Sequence, residues 1–449
     1  MDRRSFMRLG GAAGVVLVAQ PMQLLAQDGA MDHAHSTSTT PTPTPTGPRT
    51  RPPVVAPGGQ IAVVTPNGST LPMRDVGGVK VGHLTAGEVM HDFAPGLRCR
   101  VWGYNGSTPG PTIEVTEGDR VRMYVTNRLP EPTTVHWHGI VVPNGMDGVS
   151  ALNQPPIPPG ETWVYEFELR YPGTFMYHSH YDEMTQIALG LTGMFIVHPR
   201  RARGPRVDRD FVLMTHEWTV DVGTDRPDPN AMNDFNVLTF NGKIFPGTEP
   251  LVVGTNERVR IRLGNLSPMD HHPIHLHGLF FEETATDGGY IPESARRPET
   301  TVLVPVGATR VIELVPTEPG DWAMHCHMTH HVMTQMGHGL PPMVGVDPTT
   351  IDARMGRLVP GYMSMGTTGM GGMGDMGMPI PGNSLPMRGG PGPFGPIDMG
   401  GMFTVLKVRD EPDAADPAAW YVQPEGTAPH RADAEALHAD GIDPERPAT

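Results

Sequence analysis

The sequence predicts an all-β protein with two tandem β-sandwich domains, and three observations support this class. The 449 residues include 55 glycines and 50 prolines, with a hydrophobic share of 38%, which suits short strands joined by many turns. Polar and apolar residues alternate in short runs, such as 120–125 and 163–169, as they do in strands buried on one face. Landmarks of the first half also recur in the second half, which indicates two copies of one sandwich.

The landmarks of this repeat keep their order, at an offset of roughly 140 residues. They consist of turn residues followed by two histidine-containing motifs. The pairs are Asn105-Gly106 with Asn241-Gly242, Pro109-Gly110 with Pro246-Gly247, His136-Trp137-His138-Gly139 with His275-Leu276-His277-Gly278, and His178-Ser179-His180 with His325-Cys326-His327.

Residues 1–26 are predicted to be an export signal. Arg3 and Arg4 precede an apolar run, which resembles a twin-arginine signal. The alternative is an ordinary secretory signal that carries two arginines by chance. Gly10, Gly14 and Pro21 interrupt the run, so we expect no stable insertion into a membrane. The sequence therefore predicts a periplasmic or secreted protein.

Changes in composition predict the domain limits. Residues 27–58 are rich in threonine and proline and read as an extended linker. The first sandwich is predicted at 59–199 and the second at 205–348. Residues 349–449 are predicted to be a methionine- and glycine-rich tail with one strand near 403–408. Ten methionines lie between Met355 and Met402.

Charge and cysteine content exclude some classes of function. A net charge of -15 argues against nucleic acid or an anionic membrane surface as a partner. Two cysteines cannot build a disulfide framework. If Cys326 is a metal ligand, Cys99 is left single, and we expect it to be a small buried hydrophobic residue.

Histidines separated by one residue are the strongest chemical signal. Five such pairs occur, beginning at His33, His136, His178, His275 and His325, where chance predicts roughly one among 21 histidines. The pair in the linker can be the chance event, whereas the other four occupy matching places in the two halves. A strand would direct both imidazoles of a pair to one face. Imidazole ligands without carboxylates favour copper over Mg²⁺, Ca²⁺ or Mn²⁺.

The segment 322–336 combines one of these pairs with a thiol. Cys326 lies between His325 and His327, and His331 and Met336 follow. In a strand, Cys326 would point to one face while the two flanking histidines point to the other. A cysteine with two histidines and a weak axial methionine is the ligand set of a blue-copper site.

On these motifs, residues 59–346 resemble the multicopper oxidases, the laccase-like family. The resemblance implies two cupredoxin-like Greek-key domains and four coppers, one of type 1 and three in a trinuclear cluster. It also implies that Cys326, His325 and His327 carry electrons between the two sites. The implied ligands are His272, Cys326, His331 and Met336 for type 1, His136 and His275 for type 2, His138, His178 and His327 for one type 3 copper, and His180, His277 and His325 for the other.

The spacing of the motifs points to a two-domain subclass. His180 and His272 are too close in sequence for the copper-free middle domain of the three-domain members. Ser179 stands where a type 1 cysteine would lie in the first domain, which argues against copper nitrite reductase. Two-domain relatives form rings, so the resemblance implies a homotrimer. A monomer with an internal cluster is the alternative.

The resemblance implies oxidation of a small donor at type 1 copper and reduction of dioxygen to water at the cluster. Cu(I), a phenol, Fe(II) or Mn(II) could be the donor. Two other functions stay open from the sequence. The first is a copper-binding or copper-tolerance protein whose methionine-rich tail sequesters the metal. The second is a degenerate structural cupredoxin, which would be expected to lack some ligands.

Overall fold

The computed structural model describes residues 60–333 except 222 and 234, then 354, 357, 382–385 and 389–446. The predicted signal, the linker and Met336 lie outside these residues, and so does the methionine-dense stretch 363–378. Within the described chain, no helix is long and apolar enough to cross a membrane.

The first sandwich consists of two sheets. One has the order β1-β2-β5-β6, with β3 paired to β2, and the other has the order β4-β8-β7. A buried core with residues from both sheets, including Val121, Tyr165, Ile113 and Phe195, lies between them. The strands are β1 (Arg74–Val76), β2 (Val79–Ala94), β3 (Leu97–Tyr104), β4 (Gly110–Thr116), β5 (Arg120–Asn127), β6 (Thr162–Glu168), β7 (Gly173–His178) and β8 (Thr192–His198).

The second sandwich also consists of two sheets. Its strands are β9 (Arg209–Trp218), β10 (Val237–Phe240), β11 (Leu251–Gly254), β12 (Val259–Asn265), β13 (His272–Leu276), β14 (Phe281–Thr286), β15 (Gly289–Tyr290), β16 (Pro298–Glu299), β17 (Thr301–Val304), β18 (Thr309–Leu314), β19 (Gly320–Cys326) and β22 (Phe403–Arg409). One sheet has the order β10-β9-β12-β18-β14-β15, with β16 on β14, and the other has the order β11-β22-β19-β13-β17. A short hairpin of β20 (Pro391–Gly392) and β21 (Gly395–Pro396) precedes β22. The predicted all-β class with two tandem sandwiches is confirmed.

The same strand pairings occur in both sandwiches. The parallel pair β2 and β5 corresponds to β9 and β12, and the antiparallel pair β5 and β6 corresponds to β12 and β18. The triplet β4-β8-β7 corresponds to β11-β22-β19, with one parallel and one antiparallel pairing in each. Strand β22 therefore occupies the place of β8, the last strand of the first sandwich.

In sequence, the methionine-rich segment lies between two strands that are neighbours in one sheet. Strand β19 ends at Cys326, and its partner β22 begins at Phe403. The backbone N–H of Gly400 donates to the Val332 carbonyl at 2.6 Å. The chain therefore returns to the point it left, beside His331.

A third buried cluster joins the two sandwiches. Phe93 and Leu97 on the first sandwich pack with Trp218, Val237 and Ile244 on the second. Cys99 lies in the same cluster and is buried and free, so the prediction of a small buried residue is confirmed. Burial raises the pKa of this thiol to about 12.

Short helical elements complete the described chain. They are three 3₁₀ turns at Asn144–Met146, Glu293–Ala295 and Thr329–Val332, and two helices, α1 (Glu183–Gln186) and α2 (Ala434–Ala439). The α2 helix lies near the end of the described chain. The Asp433 side chain caps it by accepting the Ala436 N–H, which supplies a partner for one of the otherwise unpaired first N–H groups.

Candidate metal centre

Four histidines of the first sandwich converge at the end of β7. His136 pairs with His178 as an isolated β-bridge, so the two chain segments that carry the motifs run side by side. The ring centroids of His136 lie 5.3 to 5.6 Å from those of His138, His178 and His180. The chain order alone separates the two motifs by some forty residues, and the sheet brings them together.

Hydrogen bonds to carbonyl oxygens determine which ring nitrogens carry hydrogen. His136 Nδ1 donates to Asp147 O at 2.7 Å, and His178 Nδ1 donates to Ser179 O at 2.7 Å. His138 differs, because its Nε2 donates to Gly307 O at 2.8 Å. A carbonyl oxygen can only accept, so the opposite nitrogen of each neutral ring bears a lone pair. Burial lowers the pKa of His138, and it lowers the pKa of His178 to about 3, which favours the neutral form of both rings.

The lone pairs of His138 Nδ1 and His178 Nε2 face each other at 3.2 Å. Neither atom has a hydrogen to share, so the contact is repulsive unless a cation lies between them. Two nitrogens about 2.0–2.1 Å from one metal ion can be separated by this distance. The donor atoms of His136, His138 and His178 all lie within 4.8 Å of one another. This geometry fits a bound metal ion.

Four histidines of the second sandwich form a similar group. His275 on β13 pairs with His325 on β19 in the antiparallel register. The ring contacts among His275, His277, His325 and His327 span 4.8 to 5.7 Å between centroids. His277 Nε2 lies 3.0 Å from His325 Nε2. The Nδ1 atoms of His275 and His325 donate to the carbonyls of Thr300 and Cys326, so their Nε2 atoms bear lone pairs.

A buried thiol lies on the opposite side of the same strand end. Cys326 Sγ is 3.7 Å from His272 Nδ1 and 3.4 Å from His331 Nδ1, and the two nitrogens are 3.2 Å apart. A point about 2 Å from all three atoms exists at the centre of this triangle, which matches the metal–ligand distances of thiolate and imidazole. All three side chains are buried. Burial raises the pKa of Cys326 to about 12, so its thiolate requires a cation beside it.

Polar partners hold the outer nitrogens of both imidazoles. His272 Nε2 lies 2.7 Å from Ser267 Oγ, and His331 Nε2 lies 3.4 Å from Asp270 Oδ2. The buried Glu217 carboxyl accepts the backbone N–H groups of Met269 and Asp270 at 2.7 and 2.9 Å. Burial and the neighbouring Asp270 raise the pKa of Glu217 to about 8. These contacts fix the ring orientations that direct both Nδ1 atoms towards Cys326.

Comparison with known proteins identifies the family. Two multicopper oxidase family models match the chain, one over residues 86–202 and the other over 221–343. Together they cover more than half of the sequence and both histidine-bearing regions. The chain belongs to the multicopper oxidase family. Copper is the cofactor that this family implies, and the three donor groups described above fit it.

Individual relatives agree with this assignment. Copper resistance protein A of Escherichia coli is 28% identical over 349 residues, which cover 64% of this chain and 56% of that protein. Laccase-19 of Oryza sativa subsp. japonica is 30% identical over 261 residues, which cover 54% of this chain and 43% of that protein. This multicopper oxidase therefore spans about half the length of the curated relatives it matches. The solved multicopper oxidase mgLAC is 27% identical, with a TM-score of 0.55, over 77% of this chain and 90% of that one.

The structure brings the predicted site residues into three groups. His136, His138, His178 and His180 form one group, and His275, His277, His325 and His327 form the second. His272, Cys326 and His331 form the third. Met336 lies outside the described residues. No hydrogen bond or ring contact in the described part of the chain joins the first group to the second.

Several residues that support the candidate ligands were not predicted from the sequence. Asp270, Glu217 and Ser267 support the imidazoles of His272 and His331, and Gly307 supports His138 from the other sandwich. Asp270 adjoins a predicted ligand in sequence, so its position could have suggested it. Glu217 and Gly307 lie far from any motif, and only the fold brings them to the site.

Proposed function

We propose that this multicopper oxidase is an exported enzyme that couples one-electron oxidation of a small donor to reduction of dioxygen to water. His272, Cys326, His331 and Met336 would hold the type 1 copper. Eight further histidines would hold the trinuclear cluster, namely His136, His138, His178, His180, His275, His277, His325 and His327. The donor would be Cu(I) or a phenol, with Fe(II) and Mn(II) as further candidates.

The arrangement at the end of β19 carries this proposal. Cys326 Sγ faces His272 and His331, whereas the ring of the adjacent His325 faces His277 with 3.0 Å between nitrogens. Two metal-binding groups therefore share one short stretch of backbone. A storage protein would not need a thiol and an imidazole of neighbouring residues in two different donor sets. An oxidase that moves single electrons between two sites does need such a connection.

Copper would supply the redox chemistry, accepting single electrons at type 1 and delivering four to dioxygen at the cluster. The chain's own contribution is orientation and exclusion of water. Backbone carbonyls hold the protons of His136, His138 and His178 on the outer nitrogens, so the inner nitrogens remain free to bind metal. Complete burial of His272 and Cys326 keeps solvent from the type 1 site.

We further propose that the cluster forms between copies of the chain. The first-sandwich and second-sandwich histidine groups each present half of the eight ligands. In a homotrimeric ring, the first sandwich of each chain would face the second sandwich of the next, a closed heterologous arrangement. A monomer with an internal cluster is the alternative assembly.

Oxygen uptake by purified, copper-loaded protein tests the proposed activity. We expect consumption of dioxygen with a phenol or Cu(I) donor, at four donors oxidised for each dioxygen and without release of hydrogen peroxide. Comparison of Cu(I), phenol, Fe(II) and Mn(II) at saturation would then identify the preferred donor. Stoichiometric copper binding without oxygen uptake from any donor would refute the oxidase.

A role in copper tolerance is a second candidate, and it can coexist with the first. The similarity to copper resistance protein A and the ten methionines between Met355 and Met402 favour it, because thioethers select Cu(I). The predicted twin-arginine signal would place this activity in the periplasm or outside the cell. Cell fractionation of the tagged protein, with Arg3→Lys and Arg4→Lys as the matched variant, tests the export.

A further inference from the structure

The turn at 305–308, between β17 and β18, carries a carbonyl of the second sandwich to a histidine of the first. Gly307 has a φ of +74°. Its N–H donates to Asn265 O at 2.9 Å, and the Asn265 N–H donates to Ala308 O at 3.1 Å. The end of β12 therefore holds the turn from both sides, and the Gly307 carbonyl is directed away from its own sandwich.

This carbonyl accepts the Nε2 hydrogen of His138 at 2.8 Å. The neighbouring rings of His136 and His178 are held differently, because their carbonyl partners, Asp147 and Ser179, belong to the first sandwich. His138 forms its hydrogen bond to a carbonyl through Nε2, whereas His136 and His178 use Nδ1. The Nδ1 atom of His138 is therefore the one that faces His178. The orientation of one ring in the first sandwich thus depends on a backbone atom of the second.

Further hydrogen bonds join the two sandwiches near this turn. Thr309 Oγ1 donates to Thr174 O at 2.9 Å, and Arg262 Nη1 donates to Thr174 Oγ1 at 2.7 Å. Arg262 is itself held by two bonds to Asp210 at 2.8 Å each, and both residues are buried. Thr174 lies on β7, the strand that ends at His178. The second sandwich therefore contacts His138 directly and, through Thr174, the strand that carries His178.

We propose that Gly307 is a positioning residue for the first-sandwich copper ligands, acting through the tautomer and ring orientation of His138. The proposal rests on the proposed function, which takes His138 as a copper ligand and places the cluster between neighbouring chains of a ring. Each cluster would then involve two second sandwiches. The neighbouring chain would supply ligands, and the chain's own second sandwich would set the orientation of His138. Docking of the two sandwiches within one chain becomes a condition for loading the cluster.

Backbone conformation allows this role to be tested at one position. A Cβ on Gly307 would lie 3.6 Å from His138 Cε1, an ordinary contact, so space does not forbid a side chain. The positive φ does select among side chains, because a β-branched residue is strained there and asparagine is tolerated. Five of the eight non-glycine residues with positive φ in the described chain are asparagine. Gly307→Val should therefore rotate the carbonyl away, and Gly307→Asn should keep it in place.

The experiment compares Gly307→Val and Gly307→Asn with the wild type. Ring ¹⁵N NMR of the metal-free full chain, assigned with His138→Gln, reports which nitrogen of His138 carries hydrogen. We expect the Nε2–H form in the wild type and in Gly307→Asn, and its loss in Gly307→Val. On addition of copper, Gly307→Val should keep the blue type 1 absorption and lose cluster copper, measured as copper per chain.

Thr309→Val is the structural control. It removes the hydroxyl bond to Thr174 without touching His138, so it should lower the melting temperature and leave the His138 tautomer unchanged. Gly307→Ala is strained by the same positive φ, but less severely. It replaces Gly307→Val in the experiment if that variant does not fold. Retention of the Nε2–H form and full cluster copper in the strained variants would overturn the proposal. Equal loss in Gly307→Asn or Thr309→Val would also overturn it, since the effect would then be general destabilisation.

The tautomer measurement separates this proposal from the oxidase itself. It is made without metal, so it can succeed even if the loaded protein consumes no dioxygen. Conversely, an active wild-type oxidase whose strained Gly307 variants load copper normally would leave the proposed function in place and remove the role of Gly307.

Discussion

Individual hydrogen bonds decide which histidine nitrogens are free to bind metal. The carbonyls of Asp147, Ser179 and Gly307 each accept a ring N–H, and the opposite nitrogens then lie inside the histidine group. A carbonyl oxygen can only accept a hydrogen bond, so each of these contacts by itself identifies the ring nitrogen that carries hydrogen. At His272 the Ser267 hydroxyl can either donate to or accept from Nε2, so this contact does not by itself determine the tautomer.

Replacement of Cys326, the proposed type 1 thiol, is the most direct test at the scale of residues. Cys326→Ser should abolish the blue thiolate-to-copper absorption and donor oxidation, because a hydroxyl is a poor ligand for this geometry. Copper at the histidine groups should persist, since none of their eight members is the thiol. Optical spectra and copper per chain measure both effects. A blue, active Cys326→Ser protein is incompatible with the assignment.

The axial ligand predicted by resemblance gives a second test at this scale. Met336→Leu should raise the type 1 reduction potential and retain activity, because a thioether is a weak axial ligand. Redox titration of the blue absorption measures the shift. Loss of the blue colour in this variant would show that Met336 has a different role.

His91 predicts part of the pH dependence of stability. Burial lowers its pKa from 6.5 to about 4, and Lys243 adds to this effect. The hydrogen bond of Nε2 to Gly242 O at 2.5 Å and the nearby Asp92 oppose it by raising the pKa, but they do not outweigh burial. On acidification the unfolded chain takes up this proton first, so stability present above pH 6.5 is lost as the pH falls to about 4. The loss should be about 3 kcal/mol at pH 4.

Urea unfolding of the metal-free protein at several pH values measures this loss. His91→Gln keeps a donor for the Gly242 carbonyl and cannot take up the proton. Its free energy of unfolding should therefore fall less steeply than that of the wild type between pH 6.5 and 4. Equal slopes for the two proteins would assign the acid sensitivity to other histidines.

At the scale of elements, the pairing of β22 assigns part of the C-terminal region to the second sandwich. Strand β22 lies between β11 and β19, and Met402 O accepts the N–H of Cys326 at 3.1 Å. The strand predicted near 403–408 is thus an inner strand of the second sandwich. In sequence, the methionine-rich segment lies between β19 and β22, and the described residues Gly400 and Met402 that follow it donate to the carbonyls of Val332 and His331.

Deletion of residues 363–378 tests whether the methionines serve Cu(I) oxidation. We expect Cu(I) oxidation to fall several-fold and phenol oxidation to change little, because thioethers bind Cu(I) and have no role towards phenols. A variant with all six methionines of this stretch changed to leucine keeps the length and removes the sulfur. It should behave as the deletion does. Equal effects on both donors would favour a spacer without a metal role.

At the scale of the whole molecule, the two histidine groups lie on different sandwiches, each with half of the expected cluster. Complementation tests the proposed ring. One chain carries His136→Ala and His138→Ala, another carries His275→Ala and His277→Ala, and the two are unfolded and refolded together with copper. In a ring, about a quarter of the interfaces would pair two intact halves, so oxygen uptake should recover to about that fraction.

Each variant refolded alone is the control and should stay inactive. Light scattering of the wild type should give three times the chain mass. The mass of a single chain, together with no recovery on mixing, would establish the monomeric alternative.

The sequence alone determined the fold class and named the candidate ligands. Alternating runs report burial on one face of a strand, and the paired histidines with Cys326 have a chemistry specific enough to name copper. Both signals are local, because they lie within a few neighbouring residues. The tertiary structure decided the rest. The place of β22 and the supporting roles of Glu217 and Gly307 depend on contacts between residues far apart in the chain, and no local pattern encodes them.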